Sequence, residues 1–260
     1  MTKVSVCIPS YKQASFLERC LNSISAQTYT DYEIVVSDDS PNDEIEQLIK
    51  KYEHIPVLYR KNRTPLGSPE NWNNAIRMAS GEYIKIMHHD DWFSSPSSLE
   101  DYVDLLDKNP DSYFAFSACR DIGKEREIAH HPNNYELNSL KKNPDILSLG
   151  NFVGAPSTTI FRRNVDMFFD KNLIWFVDIE FYIRLLRKFP SFVYSNKELV
   201  YIGISENQIS NYCVNNEDLI TKERNYFFEK LNIKYGIGYG LYRRMRRVII
   251  IKTLIKWLWK

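Results

Sequence analysis

His88, His89, Asp90 and Asp91 close an apolar run that begins at Tyr83. Two adjacent carboxylates repel one another unless positive charge neutralises them, and a hard divalent cation that also binds phosphate oxygens does this well. A second carboxylate pair, Asp38-Asp39, follows the run Glu33 to Ser37, and a further acid, Asp178, opens the stretch Phe176 to Arg184. Each alone has a plain alternative: solvated loop acids for the pairs, a helix cap for Asp178. Their placement argues for more. Tyr83, Ile84 and Ile86 read as a buried strand, and ligands of open α/β sheets collect just beyond the carboxyl ends of strands.

The elements that would position these acids are legible in order. Val4 to Pro9 reads as a strand followed by a polar loop at Ser10 to Gln13. Phe16, Leu17, Cys20, Leu21 and Ile24 then recur at helical spacing from about Ala14 to Gln27. Glu33 to Ser37 is the next strand, Ile45 to Tyr52 a helix, Val57 to Arg60 a strand. Ser68-Pro69 is expected to start a helix carrying Trp72, Ala75, Ile76 and Ala79, which Gly81 ends before the central strand. This alternation predicts an α/β fold, a Rossmann-like, mainly parallel sheet with helices on both faces. Past Trp92 the pattern loosens: a helix near Leu99 to Leu106, a strand Tyr113 to Ser117, and a polar stretch from Arg120 to Asn143 expected to be loop, with His130 and His131 facing solvent. Asn151 to Arg163 reads as a turn entering a strand, and Phe176 to Arg184 begins a helix.

Composition narrows the function. With 34 Lys+Arg against 33 Asp+Glu the net charge is +1, which argues against a basic field for nucleic acid, and 43% hydrophobic residues mark a globular chain. Cys7, Cys20, Cys119 and Cys213 show neither a CxxC pair nor zinc-ligand spacing and are expected as reduced thiols. No secretory leader or membrane-spanning run is expected, and the location expected is cytoplasmic. Neither a Walker loop nor a G-x-G-x-x-G follows the first strand, and Gly236 to Gly240 comes too late in the chain. If a nucleotide binds, carboxylates and a metal must do what those glycines do elsewhere.

Several stretches in order carry a family resemblance. Val4 to Tyr11, Gln27-Thr28-Tyr29 with Glu33 to Ser40, Asn73 to Ile76 with Ala79 to Ile84, His89-Asp90-Asp91, and Asp178 with Arg184 together resemble a family 2 glycosyltransferase of the GT-A fold, over roughly residues 3 to 205. Two positions depart from the family pattern: His88 stands where an Asp is common, and Val177 where Glu precedes the late Asp. The resemblance implies an inverting transferase. It would move sugar from a nucleotide-diphosphate-sugar to a hydroxyl of a saccharide or lipid-linked saccharide, in bacterial surface-polysaccharide (capsule or O-antigen-like) assembly. It implies donor-nucleotide contacts from Pro9, Tyr11, Asp38, Asp39, Asn73 and Asp90, with Asp39 at the base and Asp90 at the ribose. Asp91 would hold Mn²⁺ or Mg²⁺ with His88 and His89 as neighbours, and Asp178 would be the general base. The domains expected are 1–205, split near 100 into nucleotide and acceptor halves, and a helical extension 206–260. A nucleotidyltransferase lacks its usual basic, glycine-rich loop here, and an inactive sugar- or lipid-binding scaffold is opposed by the intact Asp91 and Asp178.

The last stretch, 239–260, carries Arg243, Arg244, Arg246, Arg247, Lys252, Lys256 and Lys260 with no acid, interleaved with Ile, Leu and Trp. It reads as a basic amphipathic helix lying on an anionic membrane face, which would make the protein peripheral at the inner face of the cell membrane.

Overall fold

The computed structural model describes residues 2–52, 54–205 and 208–234. The expected alternation is present as β1 (Val4–Ser10), α1 (Ala14–Ser25), β2 (Tyr32–Asp38), α2 (Glu44–Ile49), β3 (Val57–Lys61), α3 (Glu70–Met78) and β4 (Tyr83–Ile86). Their strands pair in parallel in the order β3-β2-β1-β4. The second half adds β5 (Trp92–Phe93), α4 (Ser98–Asp107), β6 (Phe114–Ile122), β7 (Glu127–His130), α5 (Asn134–Lys142), β8 (Thr159–Arg162), α6 (Val177–Lys188), β9 (Phe192–Gly203), α7 (Ile209–Val214) and α8 (Glu217–Leu231). The same sheet continues β4-β8-β6-β9-β5, with β7 paired on β6. Here the pairing is mixed, because β8 lies antiparallel between β4 and β6 while β6 and β9 run parallel.

Every residue of β1 is buried, as a central strand covered on both faces requires. Alternate side chains serve the two cores. Val4, Val6 and Ile8 pack with Leu17, Leu21 and Ile24 of α1, whereas Cys7 joins Ala75 and Ile76 of α3 and Phe181 of α6. Ile84 and Ile86 of β4 face the α3/α6 side, and Tyr83 and Met87 the α1 side. The apolar spacing of α1 is therefore the stripe that covers the sheet.

The structure corrects several sequence expectations. The stretch 120–143 is not loop: β6 runs on to Ile122, β7 folds back on it, and α5 follows. Asn133 and Glu136 form a reciprocal capping box at the start of α5, Asn133 Oδ1 accepting from Glu136 N at 3.0 Å and Glu136 Oε2 from Asn133 N at 2.9 Å. Ser68 does not cap α3; the helix starts at Glu70 behind Pro69, with no side-chain cap. All four cysteines are free and buried. No helix among the described residues is long and apolar enough to cross a membrane. The basic stretch 239–260 and the glycine run from Gly236 lie outside the described residues.

Candidate active site

Parallel register brings the carboxyl ends of three strands together: Ser10 stands beside Asp38, and Cys7 beside Ile86. The segments leaving those ends share one cleft of about 1030 Å³, lined by Pro9, Tyr11, Asp39, His88, His89, Asp90 and Asp91, with Asp178 arriving from α6. Acids separated by more than a hundred positions in the chain thus meet at one sheet edge.

The first acidic pair is mainly structural in its contacts. Asp38 is fully buried and accepts from Ser40 N at 2.8 Å, Ser10 Oγ at 3.3 Å and Tyr59 OH at 2.9 Å, which fixes the turn after β2. Asp39 accepts from Asn62 Nδ2 at 2.8 Å, Leu66 N at 3.0 Å and Gly67 N at 2.8 Å, and so pins the segment 62–67, whose Pro65 and Gly67 line the cleft. Gly67 has φ +74°, a left-handed conformation that glycine adopts without a Cβ clash. Asn73 does not line the cleft as expected. Its amide brackets the backbone of Phe169, accepting from N at 2.8 Å and donating to O at 2.9 Å, so both ends are used in tying α3 to a distant loop.

The second pair is differently placed. Asp91 is buried, its Oδ1 accepting from Gly203 N at 3.0 Å. Burial, then neighbouring Asp90, hold its carboxyl well above the ordinary range, a penalty that a bound cation would remove. The Asp90 carboxylate accepts from Gln208 Nε2 at 3.2 Å, and its carbonyl from Arg19 Nη2 at 2.7 Å. His89 Nε2 pairs with Gln13 Oε1 at 2.9 Å. The His88 ring packs on Trp72 with centroids 4.6 Å apart, burial lowers its pKa to about 4, and its Nε2 is buried without a hydrogen bond. One ligand atom each from His88, Asp90 and Asp91 lie within 4.8 Å of one another. That donor set, with an orphaned imidazole nitrogen, fits a divalent cation. Below it, Lys85 is wholly buried, its ammonium donating to the carbonyls of Ser157 and Ile86 and lying 4.6 Å from the Tyr102 ring. Burial lowers its pKa to about 7.

Asp178 is not the cap of α6, whose N-cap is Phe176. It accepts from Ile179 N and Asn151 Nδ2, both at 2.8 Å, while burial raises its pKa to about 6. A carboxylate so tuned can take a proton near neutral pH. Arg184 does not reach it; its guanidinium forks onto Glu180 at 2.6 and 2.9 Å. The same cleft is also lined by the apolar side chains of Ile174, Trp175, Val177, Ile202 and Ile209.

Several contributors carried no local signal: Arg19, Asn151, Ser157, Gly203 and Glu223. Glu223 on α8 accepts from Ile174 N and Trp175 N at 2.9 Å and from Phe176 N at 3.3 Å, so the segment before Asp178 is held by a helix far downstream. In the pair His130-His131, His130 Nε2 lies 2.7 Å from Asp121 and His131 Nε2 3.1 Å from Glu198.

Comparison with known proteins agrees with this geometry. The chain is 34% identical over 108 residues to abequosyltransferase RfbV of Salmonella typhimurium, covering 39% of this chain and 32% of that protein. It spans less than two thirds of the length of the first curated relatives it matches, 61% for a Mycobacterium tuberculosis protein and 64% for a Methanocaldococcus jannaschii one. Among solved structures, TarS 1-349 of S. aureus in complex with UDP-GlcNAc superposes with TM-score 0.64 at 22% identity, over 79% of this chain and 60% of that one. Mannosyltransferase PcManGT of Pyrobaculum calidifontis, in complex with GDP-Man and Mn²⁺, gives 0.65 at 14% identity over 90% and 65%. These likenesses show the GT-A fold expected from the sequence. The profile of glycosyl transferase family 2 matches residues 5–168, well over half of the chain, and with the strand-end acids gathered in one cleft the chain belongs to that family.

Proposed function

We propose that the protein transfers a sugar, with inversion, from a nucleotide-diphosphate-sugar to a hydroxyl of a saccharide or lipid-linked saccharide in surface-polysaccharide assembly. The observation that carries this is the presence of Asp90, Asp91 and Asp178 in one cleft of a family 2 chain. Tyr11 and the 62–67 wall held by Asp39 would enclose the nucleoside, and Asp90 and Asp91 would hold a divalent cation beside the diphosphate. The chemistry such a cation supplies is neutralisation of the negative charge that builds on the leaving diphosphate. Asp178 would take the proton from the acceptor hydroxyl as it attacks the anomeric carbon, with Asn151 fixing the carboxylate's direction. A single base and direct displacement give inversion. Trp175 and its apolar neighbours offer a surface on which the non-polar face of an acceptor sugar can stack. The relatives support the donor class: named structural neighbours are complexes with UDP-GlcNAc and GDP-Man, and an abequosyltransferase lies among the curated relatives.

The test is incubation with a panel of nucleotide-sugars and Mn²⁺ or Mg²⁺, read by mass spectrometry. One donor should be hydrolysed or transferred, and chelation should abolish its turnover. If no donor is consumed and no nucleoside diphosphate raises the melting temperature, the chain is a scaffold that has kept the fold without the activity.

A further inference from the structure

Among the described residues few buried side-chain nitrogens or oxygens go without a hydrogen bond, and one of them, Nε2, belongs to His88, whose ring brings a nitrogen within 4.8 Å of ligand atoms of Asp90 and Asp91. We infer that His88 is itself a metal ligand, so that the cation is held by one imidazole nitrogen and two carboxylates and the site favours Mn²⁺ or Co²⁺ over Mg²⁺. This rests on the proposed cation at Asp90 and Asp91 and adds what the family pattern, with an Asp common at this position, does not contain.

The placement of the ring is what argues for ligation. The residue's backbone N–H donates to Ser157 Oγ at 2.9 Å and its ring lies tilted against Trp72 with centroids 4.6 Å apart, while the buried Nε2 has no hydrogen-bond partner. A buried polar atom left without a partner is unfavourable, and an ion at the adjacent carboxylates would supply one. Its ligand atom already lies within 4.8 Å of those of Asp90 and Asp91, a separation that small side-chain rotations can close. His89 is distinguished from it, since its Nε2 is committed to Gln13 at 2.9 Å. Mg²⁺ demands oxygen donors in a near-ideal octahedron, whereas imidazole suits the later divalent metals. Two carboxylates and a neutral imidazole also bring one negative charge fewer than three carboxylates, which leaves the ion more positive toward a diphosphate.

The experiment is pulsed electron paramagnetic resonance of Mn²⁺ bound to the full chain carrying ¹⁵N-histidine, with UDP and in parallel with GDP. Nitrogen coupling to the histidine label should be present in the parent, kept in His89→Gln, and lost in His88→Gln and His88→Asp. Competition titrations should show His88→Asp moving the Mn²⁺/Mg²⁺ preference toward Mg²⁺ by roughly 10- to 100-fold, the range seen when the surroundings of a metal site are altered. If the His88 variants do not fold, a coupling that survives His89→Gln still supports the assignment. Bound Mn²⁺ with no histidine coupling, or coupling that survives both His88 variants, overturns His88 as ligand while leaving the cation site standing. No bound Mn²⁺ with either nucleotide overturns the cation reading as well.

Discussion

Asp178 is subject to two opposed effects: burial favours its neutral form, and the hydrogen bonds from Ile179 N and Asn151 Nδ2 favour the carboxylate. Burial is the larger, and the balance near 6 places the group where a base can both hold and release a proton at neutral pH. The rate of transfer should therefore rise as pH increases to about 6 and level off above it. Asp178→Asn should still bind donor but transfer more slowly by about 10²- to 10⁴-fold, with that rise abolished. A stability signature accompanies this. The folded pKa near 6 exceeds the ordinary 3.8, so between those values the folded state binds more protons than the unfolded one. Parent stability should fall as pH rises through that window, and Asp178→Asn should escape the loss. Parental transfer rates across the pH range in the variant would place the base elsewhere.

At the scale of elements, the loop between β4 and β5 is held by contacts from both ends of the chain. Arg19 of α1 donates to the Asp90 carbonyl and stacks on Trp92, its guanidinium 3.6 Å from the ring centroid. From the other side the end of β9 supplies Gly203 N to Asp91. Only glycine fits there, because a Cβ on residue 203 would stand 2.2 Å from the Asp90 carbonyl oxygen. Gly203→Ala should therefore push the Asp90-Asp91 backbone aside. The expected cost is about 1–3 kcal/mol of stability, as for overpacking, together with weaker Mn²⁺ binding. Thermal denaturation and a Mn²⁺ titration on the same sample would check both; parental Mn²⁺ affinity would show that this contact does not position the acids.

Across the whole molecule, α8 belongs to the same packing as α6, through Phe227, Phe228 and Leu231 in the core that includes Val177 and Phe181. Glu223 extends that packing to the backbone that precedes Asp178. A chain ending at Lys234 keeps all of these contacts and should remain folded and bind nucleoside diphosphate. The basic stretch beyond it is proposed to act at a membrane surface, each Lys or Arg near an anionic bilayer contributing on the order of 1 kcal/mol. The 260-residue chain should sediment with anionic vesicles in a salt-sensitive way, and the shortened chain should not. Sedimentation that is equal for both chains, or unfolding on truncation, would assign the stretch a structural role.

Local signals in the sequence specify several elements: the period of Leu17, Cys20, Leu21 and Ile24, the β-run before His88, and the acids at strand ends. The sequence also carried the family resemblance that named Asp178. The capping box at Asn133 was legible in its Asn-x-x-Glu spacing, yet the polar composition around it favoured a loop reading until β7 paired with β6. Which groups meet is set by how the chain folds. Asn73 has the residue type for a ligand contact but spends both amide atoms on Phe169. Asn151, Gly203 and Glu223 have no distinguishing neighbours in sequence, yet they orient Asp178, Asp91 and the Trp175 segment from 27, 112 and 48 positions away. Hydrogen bonds and close approach depend on geometry that chain folding creates between distant segments, and hydrophobic periodicity encodes which face of an element is buried but not which polar atoms then lie within reach.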